Sequence, residues 1–338
     1  MHKTLLAYLF VGLVSGCSEE KYILDRYSTM RFENLPVPAA AAGQDLLTVD
    51  FISATQGFVG GNQGTLLTTT DGGQSWQNRS RSSLGDIRKL VFNSATTGWA
   101  GTSTGLYRTA DGGQSWTLVN YSPTYDIQFV NSQVGYAVGS QNSILRTSNG
   151  GQSWVAQNAY NWYPRLDLHA VSFTSVDSGV AMGAERSRYQ TTDGGQSWQR
   201  DSHGSLTTIY DVIRYRNGRG FVRVGEPQSY GDSQSGFEDA YLVGSTPTSS
   251  FWSSNYAWPN NTFAVYGLAQ WQNRIVAVGN STIIRQHREY ATHDSPWVQV
   301  LGPDATTIRN NYHAADFSTA DTFYAVGEKG LVSRFHYN

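Results

Sequence analysis

Thr69-Thr70-Asp71-Gly72-Gly73-Gln74-Ser75-Trp76 decides the fold, because the chain repeats it. The pattern returns at residues 109–116, 147–154 and 191–198, with Asn149 in place of the aspartate in the third copy. The tryptophans at 76, 116, 154 and 198 are 40, 38 and 44 residues apart. Two degenerate copies follow. Trp252 and Trp297 survive in them, and Pro247 stands at the aspartate position of the first. A period of about 40 residues means small supersecondary units, each burying its apolar face against the next.

Every period reads alike. A strand carries an apolar pair two apart: Val49/Phe51, Leu90/Phe92, Ile127/Phe129, Val171/Phe173, Ile213/Tyr215, Ala269/Trp271 and Ala315/Phe317. A second short strand ends on glycine. A third runs into the motif, and a fourth leaves from its tryptophan. No helical period interrupts them. Four short strands per unit, repeated, predict an all-β chain folded as a β-propeller of four-stranded blades. Seven first strands predict seven blades. The last repeat ends before its fourth strand, and Arg31-Phe32-Glu33-Asn34 resembles the segment that begins at Trp76. The N-terminal strand is therefore expected to close the last blade and remove an open edge. Residues 27–338 make one domain.

The motif has a physical account. Gly72 and Gly73 permit the positive φ of a tight turn. The Asp71 carboxylate accepts backbone N–H groups there, and Ser75 does so more weakly. Trp76 packs in the seam between blades. Asp111 with Trp116, Asn149 with Trp154 and Asp193 with Trp198 repeat these structural roles.

Composition removes several function classes. Lys+Arg 24 against Asp+Glu 26 gives a net charge of −2, which is no nucleic-acid footprint. A 39% hydrophobic, 13% aromatic chain is not disordered. One cysteine excludes an internal disulfide and a zinc site of several thiolates. No metal and no cofactor is expected. The Gly-Gly pairs already have turn roles, and no dinucleotide fingerprint joins a strand to a helix.

The N-terminus reads as an address. His2-Lys3 precedes an apolar run over 5–14, which falls short of the roughly 20 residues that span a bilayer. Val14-Ser15-Gly16-Cys17 resembles the bacterial lipobox, and Cys17 is the single cysteine. That resemblance implies a lipoprotein signal peptide over 1–16 and a lipidated Cys17 with a tether over 17–26. Ser18 after the cysteine implies outer-membrane sorting. Glu19-Glu20 resembles a surface-export signal. The chain is thus expected to be lipid-anchored in the outer membrane, at its periplasmic face or on the cell surface.

The Ser/Thr-x-Asp-x-Gly-x-Ser-Trp pattern resembles the Asp-box, or BNR repeat. Sialidases, xyloglucan hydrolases, sortilin-type receptors and photosystem II assembly factors carry it. The full period here, with its Gly-Trp-Ala-x-Gly strand, looks most like that of the assembly-factor family. This implies a non-enzymatic scaffold that binds an envelope protein, with a glycan as the alternative ligand. The sialidase Arg-Ile-Pro segment is absent. If the chain were an enzyme it would be a glycoside hydrolase, with Asp211 and Glu226 as the carboxylate pair.

Two groups of residues depart from the repeat. Loops over 157–166, 226–238 and 253–262 hold Trp162, Tyr163, Tyr230 and Trp258, large aromatics that suit a protein hot spot or a sugar face. Repeat equivalence puts Leu47, Arg88, Tyr125, His169, Asp211, Gly267 and His313 around one mouth. Arg88, His169 and His313 are its candidate ligand contacts. Arg108, Arg146 and Arg285 share a position upstream of the motif and are expected to stack on aromatics between blades.

Overall fold

The computed structural model describes residues 27–157, 164–201, 208–214, 220–226, 237–241, 264–272, 274–280, 282–286, 297–301 and 310–337. These form short strands and single 3-10 turns, grouped into seven sheets. In the first sheet Leu46–Phe51, Gly57–Gly61, Leu66–Thr69 and Gln77–Asn78 follow one another as antiparallel neighbours. The innermost strands of the others are Ile87–Phe92, Thr124–Phe129, Leu168–Phe173, Ile209–Arg214, Val265–Trp271 and Tyr312–Thr319. They pack side by side in chain order, and the last returns to the first. This is the expected all-β propeller. The fifth sheet shows three strands, and the outer strand expected from Trp252 lies outside the described residues.

Ring closure follows the expectation and adds to it. Arg31–Asn34 pairs antiparallel with Val332–His336, setting Phe32 opposite Phe335. Their rings stack at 5.3 Å. The Arg334 Nε donates to Glu33 at 2.9 Å, and the Ser333 hydroxyl donates to Asn34 at 2.6 Å. A further strand, Tyr27–Thr29, pairs in parallel with Trp297–Leu301 on the rim of the sixth sheet. The N-terminal segment therefore joins two sheets.

Between sheets the core is an aromatic zipper. The phenylalanine ending an inner strand lies between an aromatic of the preceding sheet and the tryptophan of its own motif. Phe51 stacks on Tyr324 at 3.7 Å and meets Trp76 edge-on at 6.4 Å. Phe92 does the same with Phe58 and Trp116, and Phe173 with Tyr136 and Trp198, while Phe129 lies tilted at 42° to Trp99 and edge-on to Trp154. Trp76, Trp154 and Trp198 are buried, whereas Trp116 is only half-buried. Arg146 lies 6.0 Å from the ring centroid of Tyr136, its cross-strand neighbour in the same sheet, and donates to its hydroxyl at 3.3 Å, so this contact is within a blade and not between blades as expected. The side chain of Arg285 lies outside the described residues.

The turn motif is stapled as its residues dictate. Asp111 accepts the Ser115 N–H at 2.8 Å, the Ser115 hydroxyl at 2.5 Å and the Thr109 hydroxyl at 2.8 Å. Asp71 and Asp193 repeat the set. These bonds, led by the serine hydroxyl, hold all three carboxyls down to about 2. Asn149 reproduces the geometry with its amide, accepting the Ser153 N–H and donating to the Ser153 hydroxyl.

Candidate binding face at the mouth of the central channel

All seven innermost strands carry a bulge at one place. The register slips between Leu46 and Thr48, Ile87 and Lys89, Thr124 and Asp126, and Leu168 and Ala170. It slips again between Ile209 and Asp211, Val265 and Gly267, and Tyr312 and Ala314. A bulged residue is left out of the ladder and its side chain is re-aimed. In six of the seven sheets a glycine ending the second strand makes room for this, and Thr102 stands there in the second sheet. A Cβ on Gly225 would stand 1.8 Å from the Thr208 carbonyl oxygen, and one on Gly183 would stand 2.0 Å from that of Asp167.

The bulged residues are Leu47, Arg88, Tyr125, His169, Tyr210, Tyr266 and His313. Each is half-buried, although the strands around them are largely buried. Six form a continuous chain of ring contacts around the mouth. The Arg88 guanidinium lies 4.3 Å from the Tyr125 centroid. Tyr125 meets His169 at 4.9 Å, and His169 meets Tyr210 at 6.0 Å. Tyr210 meets Tyr266 at 5.3 Å, and Tyr266 meets His313 at 5.6 Å. His313 Nδ1 lies 3.1 Å from the Leu46 carbonyl, which ties the chain to the first sheet. The hydroxyls are anchored too: Tyr125 donates to Asp167 at 2.9 Å and Tyr210 to Glu226 at 2.5 Å. Burial pushes both phenols up and pushes the His169 imidazole down.

Sequence equivalence placed Asp211 and Gly267 in this ring; the structure puts Tyr210 and Tyr266 there. The inward pairs of those two strands are Val212/Arg214 and Leu268/Gln270, one residue before Ile213/Tyr215 and Ala269/Trp271, and one residue of slip turns every side chain to the other face. The signal was present. Tyr125-Asp126-Ile127 and Tyr210-Asp211-Val212 align directly, and Leu268 takes the place of Val212 in the sixth sheet.

Asp211 points into the channel instead. It accepts the Val212 N–H at 2.7 Å and, from the next sheet, the Leu268 N–H at 2.8 Å. Asp50, Asp126 and Asp316 likewise accept the inward N–H of Phe92, Val171 and Phe51 from the following sheet. An innermost strand is an edge strand whose free N–H groups face the channel, and these carboxylates satisfy them. Lys89 stands among them, 2.8 Å from Asp126. Burial opposes its charge, but Asp126, Asp211 and Asp50 hold the ammonium above its ordinary range. Burial pushes the Asp50 and Asp211 carboxyls up to about 7 and that of Asp316 up to about 8. The channel is nonetheless wet, since 35% of the Lys89 side-chain surface is accessible. Its cavity of about 730 Å³ is lined by Lys89, Asp126, Gln128, Ser172, Asp211 and Asp316 among others.

Arg88, His169 and His313 thus come together with Tyr125, Tyr210 and Tyr266, while Asp211 and Glu226 separate, one into the channel and one onto the rim. Asp167, which sequence reasoning did not single out, links the Tyr125 hydroxyl to the Gln141 N–H of the preceding sheet. Trp162, Tyr163, Tyr230, Trp258 and Cys17 lie outside the described residues. Among the described residues no group of three or more His, Cys, Asp and Glu is placed to hold a metal ion.

A family model described as photosynthesis system II assembly factor YCF48 matches residues 25–124 and 120–202, more than half of the chain. The chain belongs to the YCF48 family. A solved structure described as YCF48 bound to D1 peptide is 19% identical, with a TM-score of 0.67, over 91% of this chain and 97% of that one. YCF48 from Cyanidioschyzon merolae is 17% identical, with a TM-score of 0.64, over 90% of this chain and 98% of its own. The WD40 β-propeller domain of Doa1, 12% identical, has a TM-score of 0.67 over 91% of this chain and 97% of that chain. At such identities these likenesses speak to the fold. Among curated proteins, no sequence matches the chain.

Proposed function

We propose that this YCF48-family propeller is a lipid-anchored envelope protein that holds a protein partner at its mouth, without catalysing a reaction. The ring of bulged residues carries the reading. A repeat protein spends most side chains on its own packing, yet Arg88, Tyr125, His169, Tyr210, Tyr266 and His313 are aimed away from the ladder and meet one another at an accessible rim. Tyrosine and arginine are the residues that dominate protein hot spots. The YCF48 structure with a D1 peptide supports peptide capture as the mode. The lipobox around Cys17 supports the anchor and the envelope location. The carboxylates offered for hydrolysis have other duties: Asp211 braces the next sheet, and Glu226 accepts the Tyr210 hydroxyl.

A photo-crosslinking residue at position 266, and another at the exposed outer-strand position 155, tests this in the native envelope. Crosslinks to a defined protein from 266 and not from 155 are expected. Equal crosslinking from both places the partner elsewhere. Silence from 266, together with glycan binding lost in Tyr266→Leu, would make the mouth a sugar site. Alkyne fatty-acid labelling of wild type but not Cys17→Ala is expected for the anchor.

A further inference from the structure

The mouth has a charge and a shape that narrow its partner. Asp45, Asp86, Asp167, Glu185, Glu226 and Glu328 sit at this end of the described strands and turns, against Arg88, Arg165, Arg186 and Lys329. Behind them the channel holds Asp50, Asp126, Asp211 and Asp316 with Lys89 as their cation. The rim carboxylates therefore favour a positive group, and a cleft focuses such a field.

The ring geometry points the same way. Successive rings meet at 85°, 59°, 49° and 79°, so they form no flat platform for a sugar to lie on. Tilted rings do offer faces, and a cation binds over a ring face within about 6 Å of its centroid. One such contact is already made internally, Arg88 over Tyr125. The far arc, with Tyr210, Tyr266 and His313, shows no cation over its rings among the described residues. Its carboxylate is in place: Glu226 accepts the Tyr210 hydroxyl and is otherwise exposed. A phenol that donates to a carboxylate carries more electron density on its ring, which strengthens that face for a cation.

We propose that the arc of Tyr210, Tyr266 and His313 receives a lysine or arginine side chain of the partner protein, with Glu226 as its counter-ion. This rests on the mouth being a protein-binding surface. The predicted occupant is a basic, exposed peptide segment, drawn in by the acidic rim and seated by cation–π contact.

The test titrates the full chain with a fluorescent Gly-Lys-Gly-Lys-Gly peptide, followed by anisotropy at low and physiological salt. The same peptide with acetylated lysines, and one with glutamates in their place, are run beside it. Saturable binding of the lysine peptide alone is expected, weaker at the higher salt. Glu226→Gln and Tyr266→Leu should each weaken it by about tenfold, the equivalent of about 1.4 kcal/mol. Val155→Ala, on the outer strand of the third sheet, should leave it unchanged, and a thermal melt of each variant shows that it folds. Equal binding of the acetylated peptide, preference for the glutamate peptide, or no binding overturns the cation reading. If crosslinks from position 266 persist in that case, the scaffold reading stands alone. Glycan binding abolished by Tyr266→Leu, with no peptide bound and no protein crosslinked, removes both.

Discussion

Asp111 shows what one side chain does in this fold. Its carboxylate takes two bonds from Ser115 and one from Thr109, all local, and the residue is half-buried. The job is to accept hydrogen bonds in a turn, so an amide should nearly suffice, and Asn149 does the same work one repeat later. Asp111→Ala should therefore destabilise the protein by about 1 kcal/mol, as loss of a side-chain cap does elsewhere, and Asp111→Asn by clearly less. Denaturant midpoints decide it; equal loss in both variants would mean that charge, not acceptor geometry, holds the turn. The sign of any pH effect is also set. The carboxyl is held down to about 2, so its contribution is complete above the ordinary carboxylate value and disappears only as pH falls toward 2.

At the scale of the element, the N-terminal segment is the informative one. It was legible as the missing outer strand, because Arg31 to Asn34 reads like the segment at Trp76. Its second attachment, Tyr27–Thr29 on the sixth sheet, was not legible, since a three-residue strand has no period to read. Together they bury Met30 and Leu35 and stack Phe32 on Phe335. Burial of three such side chains contributes about 5 kcal/mol. Deleting residues 27–36 should lower the melting temperature by about 10 °C or more and expose the edge of Val332–His336 to self-association. An unchanged melt with a monomeric sedimentation profile would show that the ring closes without this segment.

For the whole molecule the channel governs how stability responds to pH. Asp50, Asp211 and Asp316 have carboxyls raised to about 7, 7 and 8, chiefly by burial. A raised folded value means that stability is fully present below the unfolded value and is lost as pH rises through the folded one. The melting temperature should therefore fall as pH rises from about 4, the ordinary carboxylate value, to about 8. The depressed imidazoles of His169 and His336 oppose this fall below their ordinary value of 6.5, and Lys89 acts above the window. Asp316→Asn keeps an acceptor for the Phe51 N–H and removes one titrating group, so it should flatten the fall. A melting temperature independent of pH across this window, or a slope unaltered in Asp316→Asn, would show that water in the channel keeps these carboxyls near their ordinary values.

What the chain determined by itself is whatever repeats. Periodic glycine, aspartate and tryptophan specify turn, strand and seam through local physics: positive φ, hydrogen bonds within five residues, and an apolar ring beside its own strand. Those interactions need no knowledge of the neighbouring sheet, so the propeller and the role of Asp71, Trp76 and their copies were readable at once. The mouth was readable only in part. Arg88, His169 and His313 came from repeat equivalence, but Tyr210 and Tyr266 required the true register of two strands, and a single-residue slip exchanges rim for channel. The braces from Asp50, Asp126, Asp211 and Asp316 were not readable at all. Each joins a side chain of one sheet to a backbone N–H of the next, between 42 and 265 residues away, and only closure of the ring brings the two together.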